Sequence, residues 1–163
     1  MNKIDELKDA QGCFGEAAIK QVIPYEHPFL MIDKITSLES NKIVAWKTAK
    51  ASEEYFKGHF VGFPIMPGAL IVEGMGQAGT FLVRYNIENH ETKDVLAYKI
   101  KEAKFSAPAF PGSTLKYEIT LLGMDERGAM LQAKATSDDT TIAECMFVVA
   151  VVDRDQFRQK HHK

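Results

Sequence analysis

Two ionisable side chains stand out because their neighbours in the sequence are unusual. His59 lies in residues 58–68, where three glycines and two prolines indicate an ordered loop with unusual backbone angles. Glu73 lies in residues 69–83, where almost every side chain is apolar or small. A neutral imidazole accepts a proton, and a desolvated carboxyl group has a raised pKa that favours the protonated form of a general acid. The pair therefore offers a base and an acid.

A backbone group next to this pair adds a third function. Pro67 and Gly68 immediately precede the apolar stretch and are typical of a helix start. Because a helix N-terminus has free N–H groups and a positive dipole end, the amide of Gly68 could polarise a carbonyl, as an oxyanion hole does. Taken singly, His59 or Glu73 is more often an internal hydrogen-bonding residue than a catalytic one. Their coincidence with the helix start favours acid–base chemistry on a carbonyl compound.

The apolar stretch itself predicts one buried helix over residues 69–83. It is too long and too continuous for a strand, and at about fifteen residues it is too short to span a bilayer. Gly74, Gly76 and Gly79 each weaken a helix, which makes sense where another surface packs closely against them. We expect that surface to be a curved sheet.

The rest of the chain is mostly strand-like. Residues 29–33 and 43–47 predict a hairpin with its turn at 38–42, and four further strands at 95–105, 115–123, 129–137 and 141–152 predict an antiparallel meander. Residues 1–22 predict a peripheral helical segment, and residues 153–163 predict a charged, frayed tail. The expected fold class is therefore α+β, with the sheet wrapped around one helix.

The composition excludes several functions. Of 163 residues, 45% are hydrophobic and 26% charged, which is typical of one globular domain, here residues 1–163. The 20 basic and 22 acidic residues are interspersed and give a net charge of −2, which argues against nucleic-acid binding. Neither a signal peptide nor a membrane span is apparent, so we expect a cytoplasmic protein. Cys13 and Cys145 lie far apart and indicate neither a zinc site nor a disulfide.

One long motif carries a family resemblance. Residues 58–77, GHFVGFPIMPGALIVEGMGQ, closely resemble the active-site motif of the 3-hydroxyacyl-[acyl-carrier-protein] dehydratases of bacterial type II fatty acid synthesis. Residues 28–33 and 103–112 resemble flanking motifs of the same family, so the resemblance extends over residues 22–150. It implies the hot-dog fold, an antiparallel sheet wrapped around one central apolar helix, which agrees with the elements expected above.

The resemblance also implies roles for individual residues. His59 would remove the proton next to the thioester carbonyl, and the Gly68 amide would stabilise the charge that develops on the carbonyl oxygen. Glu73 would protonate the departing 3-hydroxyl, giving a trans-2-enoyl thioester and water. Gln77 corresponds to a family glutamine that lies one helical turn beyond the acid and supports it. An apolar tunnel for the acyl tail would include Phe60, Ile65, Met66 and Phe81.

The family also suggests partners. Its members need no metal or cofactor, and their substrate is carried on the phosphopantetheine arm of acyl carrier protein. They form homodimers or trimers of dimers, in which the histidine and the acid of one site come from different subunits. An acidic carrier protein would need local cations on this weakly acidic chain. The candidates are Arg84, Lys99, Lys101 and Lys104.

The chain also departs from the family pattern. Val61 stands where the family has proline, and Phe63 and Ser106 stand where it has basic residues. The usual His-Arg-Tyr/Phe before Pro28 is replaced by residues 25–27, Tyr-Glu-His. These changes leave the proposed acid and base in place but remove basic residues of the usual carrier-docking pattern, which indicates a specialised paralogue.

Three other functions remain open at this point. A hot-dog acyl thioesterase would hydrolyse the same thioester and commonly has a carboxylate on the helix without the histidine loop. A non-catalytic acyl-binding subunit would not need both ionisable groups. A bifunctional dehydratase/isomerase has an aspartate where this chain has Glu73, which makes isomerisation the weaker alternative.

Overall fold

The computed structural model describes residues 2–162. The helices are α1 (Glu16–Val22), α2 (Tyr55–Gly58), α3 (Gly68–Tyr85) and α4 (Arg154–His161), with 3₁₀ turns at Lys3–Leu7 and His90–Thr92. The strands are β1 (Phe14–Gly15), β2 (Lys34–Leu38), β3 (Lys42–Thr48), β4 (Lys93–Phe105), β5 (Thr114–Asp125), β6 (Gly128–Ser137) and β7 (Thr140–Asp153). They form one antiparallel sheet in the order β1-β2-β3-β5-β6-β7-β4. The predicted α+β architecture is confirmed.

Helix α3 is the centre of the core. Met75, Ala78 and Phe81 on this helix are fully buried, and the helix contacts strands β3 to β7. Two of its glycines allow the sheet to approach closely, as predicted. A Cβ atom on Gly74 would lie 2.5 Å from the hydroxyl oxygen of Tyr117, and one on Gly79 would lie 3.1 Å from a methyl carbon of Leu131.

The first strand of the hairpin lies later than predicted. Residues 29–33 were expected to form it, but β2 begins at Lys34. Residues 30–32 are buried outside any strand ladder, and the backbone amides of two of them bond elsewhere. The amide of Met31 donates to the side chain of Gln77 on α3, and the amide of Leu30 donates to the carbonyl of Glu26. A buried apolar run of this length resembles a strand in sequence.

The four C-terminal strands do not form a simple meander. β5, β6 and β7 are consecutive neighbours, but β4 pairs with β7 at one edge, and β5 pairs with β3. The connection at residues 106–113, which contains Pro108 and Pro111, carries the chain from that edge to the middle of the sheet. The expectation of a four-strand meander was therefore wrong about the position of β4.

The structure agrees better with the sequence analysis at the N-terminal end of the chain than at the C-terminal end. Residues 2–22 contain short helical elements, as predicted, and also the short strand β1. Residues 154–161 were predicted to be frayed but form α4, because Asp153 caps the helix and Arg154 and Arg158 both contact Asp94. Within residues 2–162, no helix is both long enough and apolar enough to cross a membrane.

Candidate active site

His59 is held by a loop that closes on itself through backbone atoms. Its Nδ1 lies 2.9 Å from the carbonyl oxygen of Ile65, and its own carbonyl accepts a 2.9 Å hydrogen bond from the Ile65 amide. Phe60 and Phe63 exchange two backbone hydrogen bonds of 3.1 Å inside this loop. Gly62 has φ +78°, a conformation that favours glycine. The histidine ring is therefore fixed by the length and shape of the loop.

The contact with Ile65 also determines which ring nitrogen of His59 carries the proton. A carbonyl oxygen only accepts hydrogen bonds, so Nδ1 of His59 must be the donor. In the neutral ring, Nε2 then has a free lone pair and is ready to accept a proton. This orienting contact was not predicted, because a backbone carbonyl has no side-chain signature in a sequence.

His59 and Gly68 line the same cavity. Its volume is about 570 Å³, and Ile65, Met66 and Phe105 are among its other lining residues. Gly68 is the first residue of α3, where backbone amides have no acceptor within the helix. A Cβ at this position would lie 2.7 Å from the ring of Phe105, so a larger residue would displace that ring from the cavity wall.

Glu73 is the sixth residue of α3 and is half-buried. It lines a smaller cavity of about 130 Å³ together with Tyr25, Thr80, Ile100 and Phe147. Burial raises the pKa of Glu73, and a hydrogen bond from Gln77 lowers it by less, so that the pKa remains above its ordinary value. This is the direction predicted for a general acid.

Hydrogen bonds of the Gln77 side chain fix the position of the Glu73 carboxyl group. Its Nε2 donates to Oε1 of Glu73 and to the carbonyl of Phe29, both at 2.9 Å, while its Oε1 accepts from the amide of Met31 at 2.7 Å. Because the amide of Met31 can only donate, the nitrogen end of the Gln77 side chain must face Glu73. One oxygen of the Glu73 carboxyl group is therefore engaged by Gln77.

The histidine and the glutamate do not meet within one chain. Their two cavities share a single lining residue, Ala69. Among residues 2–162, the hydrogen bonds of His59 and of Glu73 go to Ile65 and Gln77, not to each other. Each chain thus presents two candidate half-sites: His59 with the N-terminus of α3, and Glu73 with the side-chain amide of Gln77.

Two residues named from the sequence lie elsewhere. Phe81 was assigned to the acyl tunnel, but it is fully buried in the core and makes an edge contact with Phe14 at a ring distance of 5.2 Å. Arg84 was a candidate for carrier docking, but only 1% of it is exposed and it donates to the carbonyls of His90 and Lys93. Sequence position alone did not reveal that its charge faces inward.

The remaining candidates lie at the surface or line the His59 cavity. Lys99 and Lys104 are exposed on β4, and Lys101 is half-buried. Ile65 and Met66 line the His59 cavity, and Phe60 is exposed on the loop.

One other cluster has the composition of a cation site. Glu16, Glu26 and His27 are exposed and have their ligand atoms within 4.8 Å of one another. However, the ammonium of Lys20 lies 2.8 Å from Glu26 and 3.8 Å from Glu16. These carboxylates therefore already have a cation, and the cluster is an exposed ion-pair network at the surface.

The geometry can be compared with known proteins. The family model for the FabA-like domain matches residues 23–146, which include the His59 loop, Gly68 and Glu73. The chain belongs to the FabA-like family. As a FabA-like protein, it has both half-sites inside the region that defines the family.

Curated FabA-like relatives are similar over most of their length. A 3-hydroxyacyl-[acyl-carrier-protein] dehydratase FabZ from Campylobacter fetus subsp. fetus is 38% identical over 142 residues, covering 83% of this chain and 96% of the relative. A FabZ from Solibacter usitatus is 34% identical over 138 residues, covering 85% of each chain. The family predicted from residues 58–77 is confirmed.

Solved structures support the fold. The dehydratase heterocomplex ApeI:P from Xenorhabdus doucetiae matches with a TM-score of 0.75 at 15% identity, covering 89% of this chain and 97% of that chain. A thioesterase from Haemophilus influenzae matches with a TM-score of 0.58 at 14% identity, covering 80% and 82%. At these identities the likeness concerns the fold alone, and it confirms the predicted hot-dog fold.

Proposed function

We propose that this chain removes water from (3R)-hydroxyacyl groups carried on acyl carrier protein and forms trans-2-enoyl thioesters in fatty acid biosynthesis. Membership of the FabA-like family and the similarity to FabZ dehydratases support this enzyme class. The observation that carries the assignment is the hydrogen bond from His59 Nδ1 to the Ile65 carbonyl. It leaves Nε2 as a base in the same cavity as the amide of Gly68.

The reaction begins at the carbon next to the thioester carbonyl. Nε2 of His59 takes the C2 proton, and the electron pair of that C–H bond moves toward the carbonyl. Negative charge then develops on the carbonyl oxygen. The amide of Gly68, at the positive end of α3, donates a hydrogen bond to that oxygen and stabilises the charge where it forms.

Glu73 completes the elimination. Burial raises the pKa of Glu73 and so favours its protonated form. In the proposed reaction, its carboxyl group transfers a proton to the departing 3-hydroxyl, and the C3–O bond breaks to release water. The C2–C3 double bond forms from the electron pair freed at C2. Gln77 donates a hydrogen bond to the resulting carboxylate, and the proton on His59 returns to Glu73 before the next cycle.

A complete site requires two copies of the chain. We place His59 of one subunit opposite Glu73 of another, in a homodimer or a trimer of such dimers. The separation of the two cavities within one chain supports this arrangement. Strand β4 lies at the sheet edge with Tyr98 and Ile100 exposed, and an exposed apolar edge strand favours pairing with another chain.

The substrate enters on a carrier. Acyl carrier protein is the proposed partner, and the exposed Lys99 and Lys104 would attract an acidic surface. The residues of the two half-sites supply a base, an acid and a hydrogen-bond donor, so the proposed reaction uses no cofactor or metal. Cytoplasmic localisation stays a prediction.

The test is product identification with carrier-bound 3-hydroxyacyl substrates of several chain lengths. We expect an enoyl thioester, and we expect His59→Ala and Glu73→Gln each to reduce turnover by roughly 10²–10⁴. Release of free thiol by the wild type, with His59 dispensable, would identify a thioesterase instead. Absence of any turnover by the folded wild type would identify an acyl-binding subunit.

A further inference from the structure

A charged cluster of one buried lysine and two partly exposed carboxylates lies close to the segment that leads to His59. Lys47, on β3, is only 2% exposed. Its ammonium contacts Oε1 of Glu53 and lies 3.8 Å from Oδ1 of Asp33. Lysine is almost never buried unless its charge is paired, so these two carboxylates account for its position.

Glu53 uses its second oxygen to hold the backbone that precedes α2. Its Oε2 accepts a 3.0 Å hydrogen bond from the amide of Lys50 and a 2.6 Å hydrogen bond from the hydroxyl of Tyr55. Tyr55 is the first residue of α2. The carboxylate therefore joins β3, through Lys47, to the start of the helix.

Helix α2 connects this anchored segment directly to His59. It spans only Tyr55–Gly58, and His59 is the next residue. Upstream, Ala49 is tied by hydrogen bonds to Gly112 and Ser113, at the end of the connection that leads into β5. Residues 50–58 lie between these hydrogen bonds and the loop closure at Ile65. Within the described chain, the Lys47–Glu53 pair is the charged contact that links this segment to the sheet.

The same cluster borders the acidic half-site. The ring of Tyr117, on β5, is fully buried and its hydroxyl lies against Gly74, the neighbour of Glu73. Burial raises the pKa of Tyr117, and the nearby charges of Tyr55, Asp33 and Glu53 act in the same direction. Tyr117 thus lies within the electrostatic influence of this cluster and against the segment of α3 that carries the acid.

Stability alone does not explain this pair. A buried ion pair gains little net free energy, because desolvation offsets the attraction, and well-packed apolar residues often stabilise a fold as well or better. What an ion pair with directional hydrogen bonds does supply is a fixed geometry.

We propose that Lys47 and Glu53 are positioning residues that set the location and orientation of the His59 ring. The inference rests on the proposed role of His59 as the base. A base displaced by about 1 Å loses up to roughly 10²-fold in rate, so positioning is expected to act on kcat.

The test compares Lys47→Met, Glu53→Gln and Lys47→Met/Glu53→Leu in the full-length protein. Lys42→Met is the matched control, since Lys42 lies on the same strand and pairs with Glu118 in a partly exposed position. Three experiments are done on each: unfolding in urea, steady-state kinetics that give kcat and KM for the carrier-bound substrate, and the imidazole ¹⁵N–¹H spectrum of His59, assigned with His59→Ala.

We expect kcat to fall about 10- to 100-fold in all three variants, with KM changed less than about 3-fold. The His59 signals should move away from the pure Nδ1–H form, while Lys42→Met resembles the wild type. The double variant should regain stability relative to Lys47→Met, because no uncompensated glutamate remains, yet its kcat should stay low. Glu53→Gln retains an acceptor oxygen and keeps the test valid if Lys47→Met does not fold.

The proposal is overturned if Glu53→Gln or the double variant folds and keeps both wild-type kcat and the wild-type His59 spectrum. Recovery of kcat along with stability in the double variant would also overturn it, since the pair would then be purely structural. If His59→Ala itself retained turnover, the proposed base would be wrong, but the spectrum would still report whether the pair orients the ring.

Discussion

Gln77 donates a 2.9 Å hydrogen bond to Glu73 while its own oxygen accepts a 2.7 Å hydrogen bond from the amide of Met31. The glutamine is fully buried, and a second bond to the carbonyl of Phe29 leaves it no freedom to rotate. The acid is therefore held by a side chain that is itself held by the segment preceding β2. This relationship makes the first prediction.

Gln77→Leu should affect both stability and the acid. It leaves the amide of Met31 and the carbonyl of Phe29 without their partner, so we expect the free energy of unfolding to fall by about 1–3 kcal/mol. The hydrogen bond from Gln77 lowers the pKa of Glu73, so its loss should raise that pKa further and move the alkaline limb of the kcat profile to higher pH. Gln132→Leu, at an exposed site on β6, is the control. An unmoved alkaline limb would contradict the assigned contact.

Glu73 should make stability depend on pH. Burial raises its folded-state pKa above the ordinary value of 4.5, so above pH 4.5 the folded protein binds more protons at this carboxyl than the unfolded chain. Its contribution to stability is present in full below pH 4.5 and is lost as the pH rises through the folded-state pKa. Glu73→Gln should remove this slope. In urea unfolding from about pH 4.5 to about 7.5, the free energy of unfolding of Glu73→Gln should increase with pH relative to that of the wild type. A difference between the two proteins that stays constant with pH would count against the raised pKa.

Substitution by alanine should have different effects on stability at two glycines of α3. Gly74→Ala places a methyl group 2.5 Å from the buried hydroxyl of Tyr117, and we expect a loss of about 1–3 kcal/mol in the free energy of unfolding. Gly76→Ala meets only the ring of Phe147 at 3.5 Å, an ordinary contact, so the better helix propensity of alanine should make it neutral or stabilising by about 1 kcal/mol. Equal effects in urea unfolding would mean that the helix and β5 are not packed as described.

These features differ in how far the sequence reveals them. The apolar run of residues 69–83 predicted α3 closely, since a continuous apolar helix must be buried somewhere. The position of β4 beside β7 was not predictable from residue patterns, because ladder partners distant in sequence leave no local signal. His59 and Glu73 were recognisable by residue type, but the groups that orient them include the Ile65 carbonyl and the Met31 amide, which any residue would supply.

If each site is shared between two subunits, inactive variants of His59 and Glu73 should complement each other. When His59→Ala and Glu73→Gln proteins are mixed and subunits exchange, about half of random dimers are mixed and each contains one site with both native groups, so about a quarter of wild-type activity should return. The measurement is turnover before and after subunit exchange, with each variant exchanged against itself as the control. Failure to regain activity, with exchange demonstrated by mass, would place both groups of a site in one chain.

Lys99 should assist the approach of the carrier. Lys99→Glu reverses an exposed charge on β4, and we expect association with acyl carrier protein to slow several-fold at low salt and to become less sensitive to salt. Lys34→Glu, an exposed charge on β2 toward the opposite edge of the sheet, is the control. Stopped-flow association rates that are equal for the two variants would remove Lys99 from the docking surface.

In the loop that carries His59, the backbone geometry is constrained, whereas the identity of some side chains is not. Its closure uses backbone atoms of His59, Phe60, Phe63 and Ile65, so the number of residues between the base and its anchor is fixed. The side chains of Val61 and Phe63 are 87% and 60% exposed and take no part in holding the ring. Since these are two of the positions at which the chain departs from the family motif, substitutions there can change the surface beside the proposed active site, and with it the molecules received there, while the groups that orient His59 stay in place.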